Sequence, residues 1–152
     1  MAVYTQLSKE EVTSFFAKYE LGEIKNFQGI QEGIENTNYI INSEKNKFIL
    51  TIYEKRVREE DIPFFIGLMK NLFNSNFKCP NPIINKNGNY ISEISNKKAA
   101  VVSFVEGQSK EKLSPQNCYD IGLETAKLHK ITEKLSIKRK NNLSIKSWKS
   151  LF

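Results

Sequence analysis

Gly29-Ile30-Gln31-Glu32-Gly33-Ile34-Glu35-Asn36-Thr37-Asn38-Tyr39 is the stretch on which the reading of this chain turns. A strand runs into it, a glycine-bearing turn follows, and a second strand leaves it. Glycine tolerates positive φ and lets backbone N–H groups come close to an anion. Asn36, Thr37 and Asn38 add neutral hydrogen-bonding side chains that do not repel phosphate. Glu32 and Glu35 oppose that use unless they turn away or meet a cation such as Mg²⁺. By spacing alone, a plain hairpin turn explains the stretch better than an anion loop does. No Gly-Lys-[Ser/Thr] follows, so the Walker A pattern is absent.

On either side of this turn, residues 24–30, 37–42 and 47–53 read as strands, with Ser43-Glu44-Lys45-Asn46 joining the last two as a hairpin. Upstream, Ser8-Lys9-Glu10-Glu11 has the form of a capping box. It opens a short helix with Val12, Phe15, Phe16 and Tyr19 on one stripe, ended by Leu21-Gly22. Downstream, residues 59–74 fit a helix with Pro63 in its first turn and Ile62, Phe65, Ile66, Met69, Leu72 and Phe73 on one face. Cys79-Pro80-Asn81-Pro82 forces an extended connector. Residues 83–84 and 90–94 flank Asn87-Gly88, a hairpin signal. Residues 99–105 are almost unbroken apolar, as a central strand should be, and Glu106-Gly107-Gln108-Ser109 interrupts them. Ser114-Pro115 caps a last helix running to about His129. The order predicts an α+β fold, a five- or six-stranded antiparallel sheet with a packed helix.

Composition excludes several classes. At 152 residues the chain can bury a real core. It has no apolar run of membrane-spanning length and no basic-then-apolar leader, so cytoplasm is the expected setting and no membrane partner is expected. Cys79 and Cys118 share no metal-ligand spacing, and with His129 as the single histidine they complete no zinc site; free thiols are expected. The net charge of +6 is concentrated between Lys127 and Lys149, where eight basic residues face one acid. The rest of the chain is close to neutral, and lysine far outnumbers arginine, so no nucleic-acid partner is expected. A basic binder acting through this tail would instead show strongly salt-dependent affinity.

A second stretch with chemical potential is Ala99-Ala100-Val101-Val102-Ser103-Phe104-Val105 before Glu106-Gly107. A buried strand emerging into a glycine-containing loop suits a hinge whose backbone meets an adenine edge, and on pattern alone a core strand with a turn fits equally well. His129 is expected near a helix C-terminus, in a structural role. No Ser/His/Asp or Cys/His constellation is present to argue for nucleophilic catalysis.

Taken together, Phe27-Gln28-Gly29 through Tyr39, Phe48-Ile49-Leu50-Thr51-Ile52-Tyr53-Glu54-Lys55-Arg56-Val57, Asp61-Ile62-Pro63-Phe64-Phe65, Cys79-Pro80-Asn81-Pro82 and Ala99 to Gly107 resemble the homoserine kinase family. That family has the aminoglycoside-phosphotransferase-like, protein-kinase-related fold. The likeness begins at Met1-Ala2-Val3-Tyr4-Thr5 and continues through Leu128-His129, Arg139, Asn141-Asn142-Leu143 and Trp148, so it spans essentially the whole chain. It implies a nucleotide-binding lobe with its hinge over residues 1–106 and the start of a helical lobe over residues 107–152. It also implies ATP with Mg²⁺, and ATP-dependent phosphorylation of the L-homoserine hydroxyl to O-phospho-L-homoserine on the route to threonine. By the same analogy Gly33, Asn36, Thr37 and Asn38 would cover the phosphates, and Ser103, Phe104 and Val105 would meet adenine through their main chain.

Two departures from the wider kinase pattern follow from the same comparison. The place of the phosphate-pairing lysine on the third strand holds Thr51, with Lys55 or Arg56 as substitutes and Glu60 or Asp61 as the acidic partner. His129-Lys130-Ile131 starts no H-x-D-x-x-x-x-N catalytic loop, so no catalytic residue and no metal ligand is assigned within the chain. The catalytic aspartate is expected beyond Phe152, and this stretch alone is expected to be inactive. The alternatives are a kinase of the same fold acting on choline or another small amino alcohol, and a non-catalytic nucleotide-binding or interaction module.

Overall fold

Ser8 starts the first helix by an exchange of hydrogen bonds. Its hydroxyl accepts from the Glu11 N–H at 3.2 Å, and the Glu11 carboxylate accepts from the Ser8 N–H at 2.8 Å. In this computed structural model, which describes residues 3–141, 144, 145 and 148, that box opens α1, Lys9–Phe16. The family-like positions Met1, Ala2, Asn142 and Leu143 lie outside the described residues. The helix is shorter than its apolar stripe suggests: it ends at Ala17, and Tyr19 joins the core from the turn that follows. Ser8→Ala removes one half of the box, and we expect a loss of about 1 kcal/mol in urea unfolding.

Five strands follow: β1 (Ile24–Gly29), β2 (Thr37–Ser43), β3 (Lys47–Ile52), β4 (Ile91–Ile94) and β5 (Lys97–Ser103). They form one antiparallel sheet in the order β1-β2-β3-β5-β4. A 3-10 turn, Glu59–Asp61, leads into α2, Ile62–Asn74, and α3 spans Pro115–Glu133. The sheet has five strands, and the apolar β5 is internal to it, between β3 and β4.

One expected hairpin is placed differently. Asn87-Gly88 does make a turn, with Gly88 at φ 79°, but the buried Asn85 side chain organises it by accepting from the N–H groups of Asn87 and Asn89. Residues 83–84 form no strand there; the neighbouring Pro82 makes an isolated bridge to Val102. The tight hairpin lies between β4 and β5, where Ser95 and Asn96 both take positive φ, 48° and 58°. Two such residues in succession match the twist of the flanking strands.

Period-two alternation gives the sheet two different faces. Tyr39, Ile41, Phe48, Leu50, Ile52, Ala99 and Val101 pack with Val12, Phe15 and Phe16 of α1 in one core. On the other face Ala100 packs with Ile62 and Ile66 of α2 in a second core. That second core covers the β5–β4 side and leaves Asn38, Ile40, Ile49 and Thr51 half-buried. Helix α3 has no buried residue, and Tyr119, Ile121 and Leu123 on it are exposed. His129 falls inside α3, which continues to Glu133. Past α3 the chain returns to α2: the Arg139 guanidinium lies 2.8 Å from the Asp61 carboxylate and 5.1 Å from the centre of the Phe65 ring.

Candidate functional site

Strand register fixes the relation between the glycine turn and the end of β5. Thr37 pairs with Ile52, and Ile52 with Ala99; Ile41 pairs with Phe48, and Phe48 with Ser103. The turn at residues 30–36 therefore adjoins one end of the β2-β3-β5 ladder, and Ser103-Phe104-Val105 leaves from the other. At roughly 3.4 Å per residue, four residues of strand separate the two ends by about 14 Å. They bound the same sheet face from opposite ends.

Two rows of side chains cross that face. Ile40, Ile49 and Val102 are register partners and make an aliphatic row near the end of β5. Asn38, Thr51 and Ala100 make a more polar row next to the turn. Asn38 Oδ1 accepts from Thr51 Oγ1 at 2.8 Å, and among the described residues the Asn38 amide NH₂ has no protein partner. The face thus grades from apolar to hydrogen-bonding along the strands. Thr51 is the middle residue of the polar row, and neither row holds a cation. Lys55 and Arg56 are exposed in the loop after β3. Asp61 is engaged by Arg139, whose hydrogen bond holds its carboxyl below the usual range, and Glu60 lies 3.5 Å from Arg58 on the surface.

The turn residues divide by direction. Gly33 has φ 123°, which a side chain would strain, and Gln31 to Glu35 are exposed. Asn36 Oδ1 accepts from the Glu54 N–H at 3.4 Å. Thr37 is a correction to the sequence reading. Its side chain is fully buried on the α1 side of the sheet, where Oγ1 accepts from the N–H groups of Tyr4 and Thr5 at 2.9 and 3.1 Å and donates to Glu54 at 2.7 Å. Its hydroxyl is therefore unavailable to a ligand over the turn. Alternation supplied a signal for this, since Tyr39 and Ile41 share its face.

At the far end, the Ser103 N–H donates to Asn81 O at 2.9 Å and the Phe104 N–H to Lys47 O at 3.2 Å. Ser103 Oγ accepts from the Asn81 N–H at 2.9 Å, and Phe104 lies under the Lys47 ammonium at 5.4 Å. The Val105 N–H is the first main-chain donor after β5 with no partner among the described residues. Of the three expected hinge residues, Val105 is the one with an uncommitted amide.

Sequence reading missed the polar cluster behind the turn. Glu54 Oε1 accepts from Thr5 Oγ1 at 2.6 Å and Thr37 Oγ1 at 2.7 Å, and the carboxylate pairs with Lys97, which also donates to Thr5 Oγ1 at 2.7 Å. The Glu54 side chain is only 10% exposed. Burial pushes its pKa up, but the bonds from Lys97, Thr5 and Thr37 outweigh burial and leave it lowered. The long sequence separations of these contacts hide them from any local pattern. Among the described residues no group of three or more His, Cys, Asp or Glu could hold a metal ion. Among the same residues no helix is long and apolar enough to cross a membrane.

Comparison with known proteins agrees with this architecture. Homoserine kinases of Agrobacterium fabrum and Rhizobium meliloti are each 40% identical to the chain over all 152 residues, which cover 47% of those proteins. That of Rhodopseudomonas palustris is 38% identical, with 46% covered. The chain thus spans about half the length of the curated relatives it matches. A spectinomycin phosphotransferase, solved with ADP and spectinomycin, superposes with a TM-score of 0.70 at 16% identity, over 97% of this chain and 46% of that one. A microcompartment-associated aminopropanol kinase superposes with a TM-score of 0.69 at 12% identity, over 92% and 48%. These two show a shared fold, a five-stranded antiparallel sheet with packed helices. The profile described as the phosphotransferase enzyme family matches residues 26–149, and this chain belongs to that family.

Proposed function

We propose that the chain is the nucleotide-holding part of an ATP-dependent kinase for the hydroxyl of L-homoserine. The observation that carries this reading is the graded sheet face between the glycine turn and Val105. Ile40, Ile49 and Val102 would take the flat apolar base and sugar. Val105 would offer its main-chain N–H to the adenine edge, beside Ser103 and Phe104. Asn38, Asn36 and the backbone around Gly33 would offer neutral donors to the phosphates. When bound, ATP supplies the phosphoryl group that is transferred. The chain's residues contribute positioning, the larger part of the protein's work in such transfers. Mg²⁺ would arrive with the triphosphate.

Forty per cent identity to homoserine kinases, against 12% to the aminopropanol kinase, favours homoserine over other amino alcohols. The product would be O-phospho-L-homoserine, an intermediate towards threonine, and the protein would act in the cytoplasm. The division at Glu106-Gly107 belongs to this reading, with residues 107–152 as the beginning of a helical lobe. A protein carrying this chain at the length of its relatives should convert L-homoserine and ATP to phosphohomoserine and ADP. Turnover with choline or aminopropanol but not with homoserine would refute the substrate.

Nucleotide binding can be measured on the chain itself. Ile49→Ser removes two or three methylene equivalents of apolar contact. It should weaken adenosine and ATP alike by about tenfold in calorimetric titration. Unchanged affinity for both would remove Ile49 from the site.

A further inference from the structure

We infer that the N-terminal segment at residues 3–7 is a strap that positions the glycine turn, and that Tyr4 is its positioning residue. The inference rests on the nucleotide reading above and goes beyond it, because Tyr4 lies outside both rows of the site. The segment crosses the α1 side of the sheet. The N–H groups of Tyr4 and Thr5 donate to Thr37 Oγ1, and Tyr39 Oη donates to the Thr5 carbonyl at 2.8 Å while accepting from the Leu7 N–H at 3.2 Å. Glu54 and Lys97 fix Thr5 from the other side. Val3 fills the space above Gly29, where an added Cβ would come within 2.8 Å of Val3 Cγ2. Gly29 is therefore glycine to admit the strap.

From this anchored base the Tyr4 hydroxyl reaches out and donates to the Ile34 carbonyl at 2.8 Å. The base of the turn is tied by the Ile30 N–H to Asn38 O at 2.8 Å and by Asn36 to Glu54. Among the described residues, the Tyr4 bond is the one hydrogen bond made to residues 31–35. Ile34 is 74% exposed, so packing does little to hold the tip. Ordering a free backbone on binding is costly, and a tip already held in place lowers that cost. The benefit falls on ligands that use the turn, which are those with phosphates.

Tyr4→Phe removes the hydroxyl and keeps the ring. We expect about a threefold to tenfold loss of ATP affinity, unchanged adenosine affinity and an unchanged melting temperature. Amide hydrogen exchange at residues 33–36 should quicken in the unliganded variant, with α1 and β3 unaffected. Equal affinity of variant and wild type for ATP would overturn the inference while leaving the nucleotide reading intact. A parallel loss for adenosine together with a lower melting temperature would also overturn it, by making Tyr4 a general stabiliser. Wild-type protein that binds neither ligand would overturn the nucleotide reading and this inference together.

Discussion

Glu54→Ala destabilises the fold by about 3 kcal/mol, the scale of removing one partner from a buried ion pair. The carboxylate is the shared acceptor for Thr5, Thr37 and Lys97. Its loss leaves the fully buried Thr37 hydroxyl without its acceptor and Lys97 without its counter-charge. Because the Lys97 side chain is 33% exposed, water restores part of its solvation, which keeps the cost at the low end of that scale. The pH dependence has a definite sign. The folded-state pKa of Glu54 is lowered, so the folded protein holds fewer protons here than the unfolded chain. The stabilisation is complete above the unfolded glutamate pKa of about 4.3 and is lost as pH falls through the lowered folded value. Urea unfolding of wild type and Glu54→Gln from neutral to acid pH should converge at the acid end. Parallel curves across that range would mean that Glu54 carries no such stabilisation.

Leu50→Ala costs about 3–4 kcal/mol by the same measurement. Leu50 is fully buried, with Tyr39 and Val101 as its neighbours across the two ladders and α1 above them. Truncation leaves a cavity lined by paired strands that cannot collapse into it. Its neighbour Ile49 points the other way, so Leu50→Ala should lose stability where Ile49→Ser loses chiefly binding. Similar stability losses for both would contradict the assignment of the two faces.

Local patterns carried much of the fold. The capping box at Ser8, the alternation in β2 and β3 and the apolar β5 each state their structure within a few residues. The error at the β4 hairpin has a physical cause. Asn87-Gly88 is the stronger turn signal, yet it closes a loop around Asn85, while Ser95-Asn96 carries no glycine to announce its two positive φ angles. The candidate site was legible in its turn and its strand, because glycine placement and an apolar run are local properties. It was not legible in Glu54, Lys97 and Thr5, which meet only once the sheet has formed. Thr37 shows the intermediate case: its residue type suits a phosphate turn, but the parity of β2 commits its hydroxyl to the opposite face.

The central claim is that one nucleotide lies along the sheet face from Val105 to the glycine turn. Titrating isotopically labelled chain with adenosine and then with ATP, followed by backbone amide and methyl NMR, tests it most directly. The methyls of Ile40, Ile49 and Val102 and the amide of Val105 should shift with both ligands. The amides of Gly33 to Asn38 should shift only with ATP. Shifts confined to the α1 side of the sheet, or a turn that responds to adenosine as strongly as to ATP, would contradict the account.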